Sequence, residues 1–283
     1  MDLDHIAYSK RDGIAILTLQ RPEALNVISA NPGGTRDQIR WALADASADP
    51  EVGCVLLHGA GRAFCAGGDL TGNALRETAQ DELDFVKDAD EFHHAVRSCR
   101  VPVVAAVHGH CLGAGLSLAT SCDLLIAADD ASFGLPEGRL GLVGAAALVP
   151  LIGRQWAKFL IFTGEPVGAR RAVDIGLALT VVPAAELLSR CTDLAQRLAR
   201  MPREALALNK MTVDAVADAG GDEAGRRAGL GHDAVTLAMA DHACAPDGRA
   251  FRTIIRTEGM AALKQARAAQ YETPWLPGRD AAP

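Results

Sequence analysis

Residues 59–70 read GAGRAFCAGGDL. Five of these twelve positions are Gly or Asp and three more are Ala, directly after an apolar run at 55–57. Glycine loses more backbone entropy on folding than other residues. A cluster of it at a strand end therefore marks a place where something approaches the main chain closely: a phosphate, another stretch of backbone or a reacting oxygen. A second segment, VHGHCLGAGLSLATSCD at 107–123, has the same layout. The apolar run 103–107 leads to Gly109, and Gly113, Ala114 and Gly115 then open a helix, whose first N–H groups have no partner within it.

Phosphate readings fail on spacing. A G-x-G-x-x-G fingerprint started at Gly59 or Gly113 needs glycine at 64 or 118, which are Phe64 and Leu118, and no G-K-[ST] step is present. Either turn alone reads as tight strand–helix packing. Two such turns, each after an apolar strand, favour a pair of backbone donors around a developing oxyanion.

Outward from these turns, HIAYSKRDGIAILTLQRP reads as a hairpin turning at 10–13. Residues 35–49 carry Ile39, Leu43 and Ala46 at helical spacing before Pro50, and 81–99 carry Leu83, Val86, Phe92 and Val96. GCVLLHG and PVVAAVHG are short buried strands, GAGLSLATSC is a small-residue helix, and DLLIAADDASFG is one or two more strands. Helical patterns dominate from about residue 144, broken by a strand at 178–182, and everything after Pro202 reads as helix. Alternation in the first half argues for an α/β core. The helical tail, with Leu206, Met211, Val213, Val235, Leu237 and Met239 on its faces, has little sheet left to cover and suggests an oligomerisation or lid element.

The bulk numbers exclude other classes. The 283 residues are 49% hydrophobic, enough for one large domain or a domain with a helical appendage. The net charge of −7 without a Lys/Arg block argues against nucleic acid. Aromatic content of 4% argues against a stacking platform. The apolar stretch 140–152 is too short and too broken to span a bilayer, and the N-terminus lacks a basic-then-apolar leader. Seven scattered cysteines without a CxxC pair read as reduced thiols of a cytoplasmic protein. His108 and His110 flank Gly109, but no third ligand follows at metal-site spacing, so they read as packed or hydrogen-bonded. His93 and His94 read as surface residues, and Asp69 as a brace for its loop.

LTLQRPEALNVIS, GAGRAFCAGGDL, AAVHGHCLGAGLSLATSCDLLIAADDASFGLPEGRLGLV and FTGEPVGARRAVDIGLALTVV occur in this order. They resemble the successive motifs of the crotonase, or enoyl-CoA hydratase/isomerase, superfamily over residues 5–200. The resemblance implies an α/β fold, a spiral of ββα units, with a C-terminal helical trimerisation region. The division is then an acyl-CoA-binding core at 1–200 and a helical oligomerisation region at 201–283. It implies an acyl-CoA thioester as substrate, no separate cofactor (coenzyme A being part of the substrate), no metal, and a homotrimer or dimer of trimers. The oxyanion donors map onto the N–H groups of Gly68 and Ala114. The carbonyls of Ala66 and Gly68 map onto the adenine contact, and Arg62 occupies a place where a basic residue meets the CoA phosphates or stays solvated.

Hydratases of this family use two glutamates. One position is Ser117 here, and the other, in a Pro-Glu step, is Glu137. Adding water calls for two groups to manage the water's protons, and Ser117 is no base at neutral pH without a partner. One carboxylate suffices to move a proton between C2 and C4, which points to enoyl-CoA isomerase-type chemistry. The apolar setting FGLPEGRLGLVG is expected to raise the Glu137 pKa, with Arg139 opposing. The alternatives are a hydratase/dehydratase with a second acid from outside the motifs, another lyase or hydrolase of the family, or a non-catalytic acyl-CoA binder. LGLVGAAALVP also departs from the family's proline-glycine turn.

Overall fold

A computed structural model describes residues 3–70, 78–268 and 274–276. The polar stretch after Leu70 begins outside these residues, as does the end of the helical tail.

The first hairpin pairs β1 (Ile6–Arg11) with β2 (Ile14–Leu19) in antiparallel register, Arg11 opposite Ile14. Its turn is Asp12-Gly13, both at positive φ, so the connection is a two-residue loop, tighter than the four residues read from sequence. Helix α1 (Thr35–Ala48) buries Ile39, Leu43 and Ala46 as their spacing predicts. Then follow β3 (Cys54–Gly59), β4 (Ala63–Cys65) and α2 (Ala79–Arg97). The next group is β5 (Val103–Val107), β6 (His110–Leu112) and α3 (Ala114–Thr120). After it come β7 (Leu124–Ala128), β8 (Ser132–Gly134), α4 (Val149–Thr163), β9 (Val167–Gly168), α5 (Ala169–Asp174), β10 (Thr180–Val182) and α6 (Leu187–Ala199).

Two sheets result. The larger runs β1-β2-β3-β5-β7-β10, parallel from β2 onward, and the smaller runs β4-β6-β8-β9. Each repeat sends one strand to the large sheet, turns a corner and sends a short strand to the small sheet. The corners need glycine. A Cβ on Gly59 would strike the carbonyls of Ala63 and Phe64, and one on Gly109, at φ +52, would strike the Arg62 carbonyl. Much of the glycine cluster at 59–70 thus serves backbone crossing backbone, and its middle is a strand rather than a loop.

The large sheet is buried on both faces, as parallel sheets are. Val55, Leu57, Val103 and Ala105 join the main core with α1 and α2, whereas Cys54, Leu56, Val104 and Ala106 pack on Leu187, Cys191 and Ala195 of α6. Beyond Pro202 lie α7 (Arg203–Ala219), α8 (Asp222–Ala238) and α9 (Phe251–Ala268). Helix α8 packs on α2 and α7, and α9 builds a small core of its own around Phe251, Ile254 and Leu263, with Leu140 packed against it. Among the described residues, no helix is long and apolar enough to cross a membrane.

Candidate active site

The two glycine turns meet because α3 lies directly on β4. A Cβ on Gly115 would come within 2.5 Å of the Cys65 carbonyl and 2.8 Å of its Sγ. That contact brings Ala114, the first residue of α3, beside the turn that carries Gly68.

The segment between β2 and α1 fixes the first turn. Leu25 and Asn26 both adopt left-handed backbone, φ 54 and 57, which is strained for a branched side chain such as Leu25. Asn26 is buried, and its Nδ2 donates to the carbonyls of Ala60 and Ala63, each at 2.8 Å. Ala66 N–H donates to Leu25 O, Ile28 N–H to Gly67 O and Asp69 N–H to Ile28 O, at 2.9–3.0 Å. Arg21 pairs with the buried Asp69 carboxylate at 2.9 Å, so Asp69 does brace its loop. What remains unused is informative: neither the Gly68 nor the Ala114 N–H donates to another described residue, and the carbonyls of Ala66 and Gly68 accept from none. Gly68 is exposed, with nothing within 4 Å of the place its Cβ would occupy.

Glu137 sits on a 3₁₀ turn, Pro136–Leu140, after β8. Its carboxylate stands against Gly113, where a Cβ would collide with Oε1, so it borders the residue preceding Ala114. Oε2 is buried without a hydrogen-bond partner. Burial pushes the Glu137 pKa up to about 7, with a nearby Asp233 adding to the rise and Arg267 opposing it. The opposing cation is therefore Arg267 of α9, not the expected Arg139, whose Nε donates to the Thr163 carbonyl at 2.6 Å. Ser117 lies on α3 one turn beyond Gly113 and is half-buried. Arg62 is exposed on the corner before β4.

Other sequence readings divide. His108 Nε2 lies 2.9 Å from Gly61 O and His110 Nδ1 lies 3.3 Å from Ser132 Oγ, so both engage locally. His94 is exposed, but His93 is not a surface residue: its Nε2 is buried without a partner, and burial beside Arg36 pushes its pKa down to about 3. The periodicity of α2 did not place it because both α1 and α8 pack on that helix, with Arg36 and Arg40 of α1 beside His93. Three residues that shape the site escaped the sequence reading. Asn26 left only its place in a motif, whereas Asp233 and Arg267 left no local signal, since only the packing of α8 and α9 brings them near Glu137.

Residues 9–231 match the family model described as enoyl-CoA hydratase/isomerase. A probable enoyl-CoA hydratase of Mycobacterium leprae is 34% identical over 277 residues, spanning 96% of this chain and 99% of that protein. A crotonyl-CoA hydratase of Syntrophomonas wolfei is 31% identical, spanning 96% and 99%. Among solved structures, an enoyl-CoA hydratase/isomerase from Xanthobacter autotrophicus superposes with a TM-score of 0.86 at 29% identity, covering 94% of this chain and 98% of that one.

Proposed function

The chain belongs to the enoyl-CoA hydratase/isomerase family, an acyl-CoA enzyme family, and on that premise we propose that it moves a proton along the acyl chain of an enoyl-CoA, with Glu137 as the carrier. The observation that supports this reading is the single carboxylate against Gly113, unpartnered at Oε2, beside a free Ala114 N–H and with Ser117 where a second glutamate would stand.

In the proposed reaction a 3-enoyl thioester places its carbonyl oxygen between the N–H groups of Gly68 and Ala114. Glu137 takes a proton from C2, and the electron pair moves onto the thioester oxygen, where the two donors stabilise it. The dienolate collapses, the double bond shifts to C2–C3, and Glu137 returns the proton at C4. A carboxylate with a pKa near 7 is matched to taking and returning a proton at neutral pH. In this reading the carbonyls of Ala66 and Gly68 receive the adenine amino group, and Arg62, free at the corner, meets the CoA phosphates. Residues 1–200 then form the acyl-CoA-binding core and 201–283 the helical oligomerisation region of a homotrimer or dimer of trimers.

Hydration is the second reading, favoured by the names of the relatives. Turnover of a panel of 2- and 3-enoyl-CoAs in heavy-oxygen water separates the two, because hydration adds a labelled oxygen and isomerisation adds none. We expect unlabelled, shifted products. Glu137→Gln should lower the rate by at least about 100-fold, the low end for a positioned general base. Labelled hydroxyacyl-CoA as the main product would overturn the isomerase reading. Full turnover by the Gln variant would move the base elsewhere, and binding without turnover across the panel would favour a non-catalytic acyl-CoA protein.

A further inference from the structure

The two donors of the proposed oxyanion hole belong to the peptide units Gly67–Gly68 and Gly113–Ala114, and each unit also carries a carbonyl. The Gly113 carbonyl accepts from Ser117 N–H at 3.0 Å, a backbone bond at the start of α3. The Gly67 carbonyl accepts from Ile28 N–H at 2.9 Å and from a side chain, the thiol of Cys65, at 3.6 Å. Cys65 ends β4 and is fully buried. The same side chain lies against Gly115, the neighbour of Ala114. A Cβ on Gly115 would come within 2.7 Å of the Cys65 Cβ and 2.8 Å of its Sγ. One buried side chain therefore touches both turns, donating to the first and limiting the approach of the second.

A buried cysteine ordinarily serves as a small apolar filler, and Cys111 gives the comparison. It lies opposite Cys65 in the β4–β6 pairing, is equally buried, and donates to the Gly115 carbonyl at 3.6 Å. That carbonyl belongs to the peptide Gly115–Leu116, whose N–H is neither of the two donors. The acceptor of Cys65 is the carbonyl of the peptide whose N–H is that of Gly68. A hydrogen bond accepted at a peptide carbonyl polarises the unit and strengthens the N–H at its other end. Resting on the reading of Gly68 as an oxyanion donor, we propose that Cys65 is a positioning residue for the oxyanion hole. Its thiol fixes and polarises the Gly67–Gly68 peptide, and its bulk spaces that peptide from Ala114. Burial pushes the thiol pKa up to about 12, with the Gly67 hydrogen bond opposing, so the group keeps its proton and remains a donor at neutral pH.

The test compares Cys65→Ala, Cys65→Ser and Cys111→Ala in the full-length protein. Two quantities are read: kcat and KM with an enoyl-CoA that wild type turns over, and the infrared carbonyl stretch of bound butyryl-CoA, isotope-labelled at the thioester carbonyl. Binding to wild type should lower that stretch relative to free butyryl-CoA, and Gly68→Pro should remove most of the lowering. Cys65→Ala should lose part of it and reduce kcat about 3- to 10-fold, a fraction of the loss for a whole donor, with KM little changed. Cys65→Ser keeps a hydroxyl donor and should recover the stretch and most of kcat. Cys111→Ala should leave both near wild type. Circular dichroism checks the fold, and Cys65→Val, which has no donor, carries the test if the alanine variant does not fold. A wild-type stretch in the folded donor-free variant would overturn the inference, as would equal losses in Cys65→Ser or Cys111→Ala. An unchanged stretch in Gly68→Pro would instead defeat the reading of Gly68, and this inference with it.

Discussion

In the proposed reaction Gly68 and Glu137 act in different ways. Gly68 contributes an N–H and open space, so the two can be separated by substitution. Gly68→Ala retains the N–H and meets nothing within 4 Å, and it should fold normally. Gly68→Pro removes the donor, and turnover should fall about 100–1,000-fold, the cost of one oxyanion donor. Circular dichroism checks the fold, and wild-type rates in a folded Pro variant would remove Gly68 from the mechanism. Glu137 contributes a charge that the fold resists. Its folded pKa, about 7, lies above the ordinary value of 4.5, so its share of stability is fully present below pH 4.5 and is lost as pH rises to about 7. Glu137→Gln should therefore match wild type in denaturant melts at pH 4 and exceed it at pH 8, by on the order of 2 kcal/mol.

At the scale of elements, the segment 21–28 does the positioning. It is not a regular strand or helix, yet its backbone and Asn26 hold residues 60–69 at five points. Asn26→Ala would remove the side-chain donor to the Ala60 and Ala63 carbonyls and the acceptor of the Arg21 N–H, and leave alanine at φ 57. The expected loss is about 2 kcal/mol or more, read from denaturant midpoints, with a larger fall in turnover than in stability-matched core variants. The hairpin, α1, α2 and the central strands were legible because their apolar periodicity is long. The small sheet was not. Its strands have two or three residues each, too short for a period to show, and they exist because the glycine corners turn the chain back onto a second layer.

At the scale of the whole molecule, α7 presents an apolar face to solvent. Leu208, Met211, Val213 and Val216 are each more than 60% exposed, and along α7 only Ala207 is buried. A hollow of about 640 Å³ runs beside it, lined by the end of α2 and by α7 and α8, with Arg97, Lys210, Asp214 and Arg226 among its walls. Closed homo-oligomers are the common way to cover such a face. Light scattering at micromolar concentration should give a trimer or hexamer, and Met211→Asp with Val213→Asp should lower the mass. A wild-type monomer would refute the assembly.

The sequence by itself determined the α/β core, its succession of buried strands, the two glycine turns and, through ordered motifs, the family. These are local: a period, a turn residue or a spacing lies within a few dozen residues. Only the tertiary structure decided that the glycines serve chain crossings as well as open N–H groups, that the Nε2 of His93 is buried and that Arg139 is turned to the Thr163 carbonyl. Those facts depend on segments some tens of residues apart in the chain meeting in space, as Gly109 meets Arg62 and Arg139 meets Thr163. No local pattern encodes such a meeting, because burial against a distant segment leaves no period in the residues it covers.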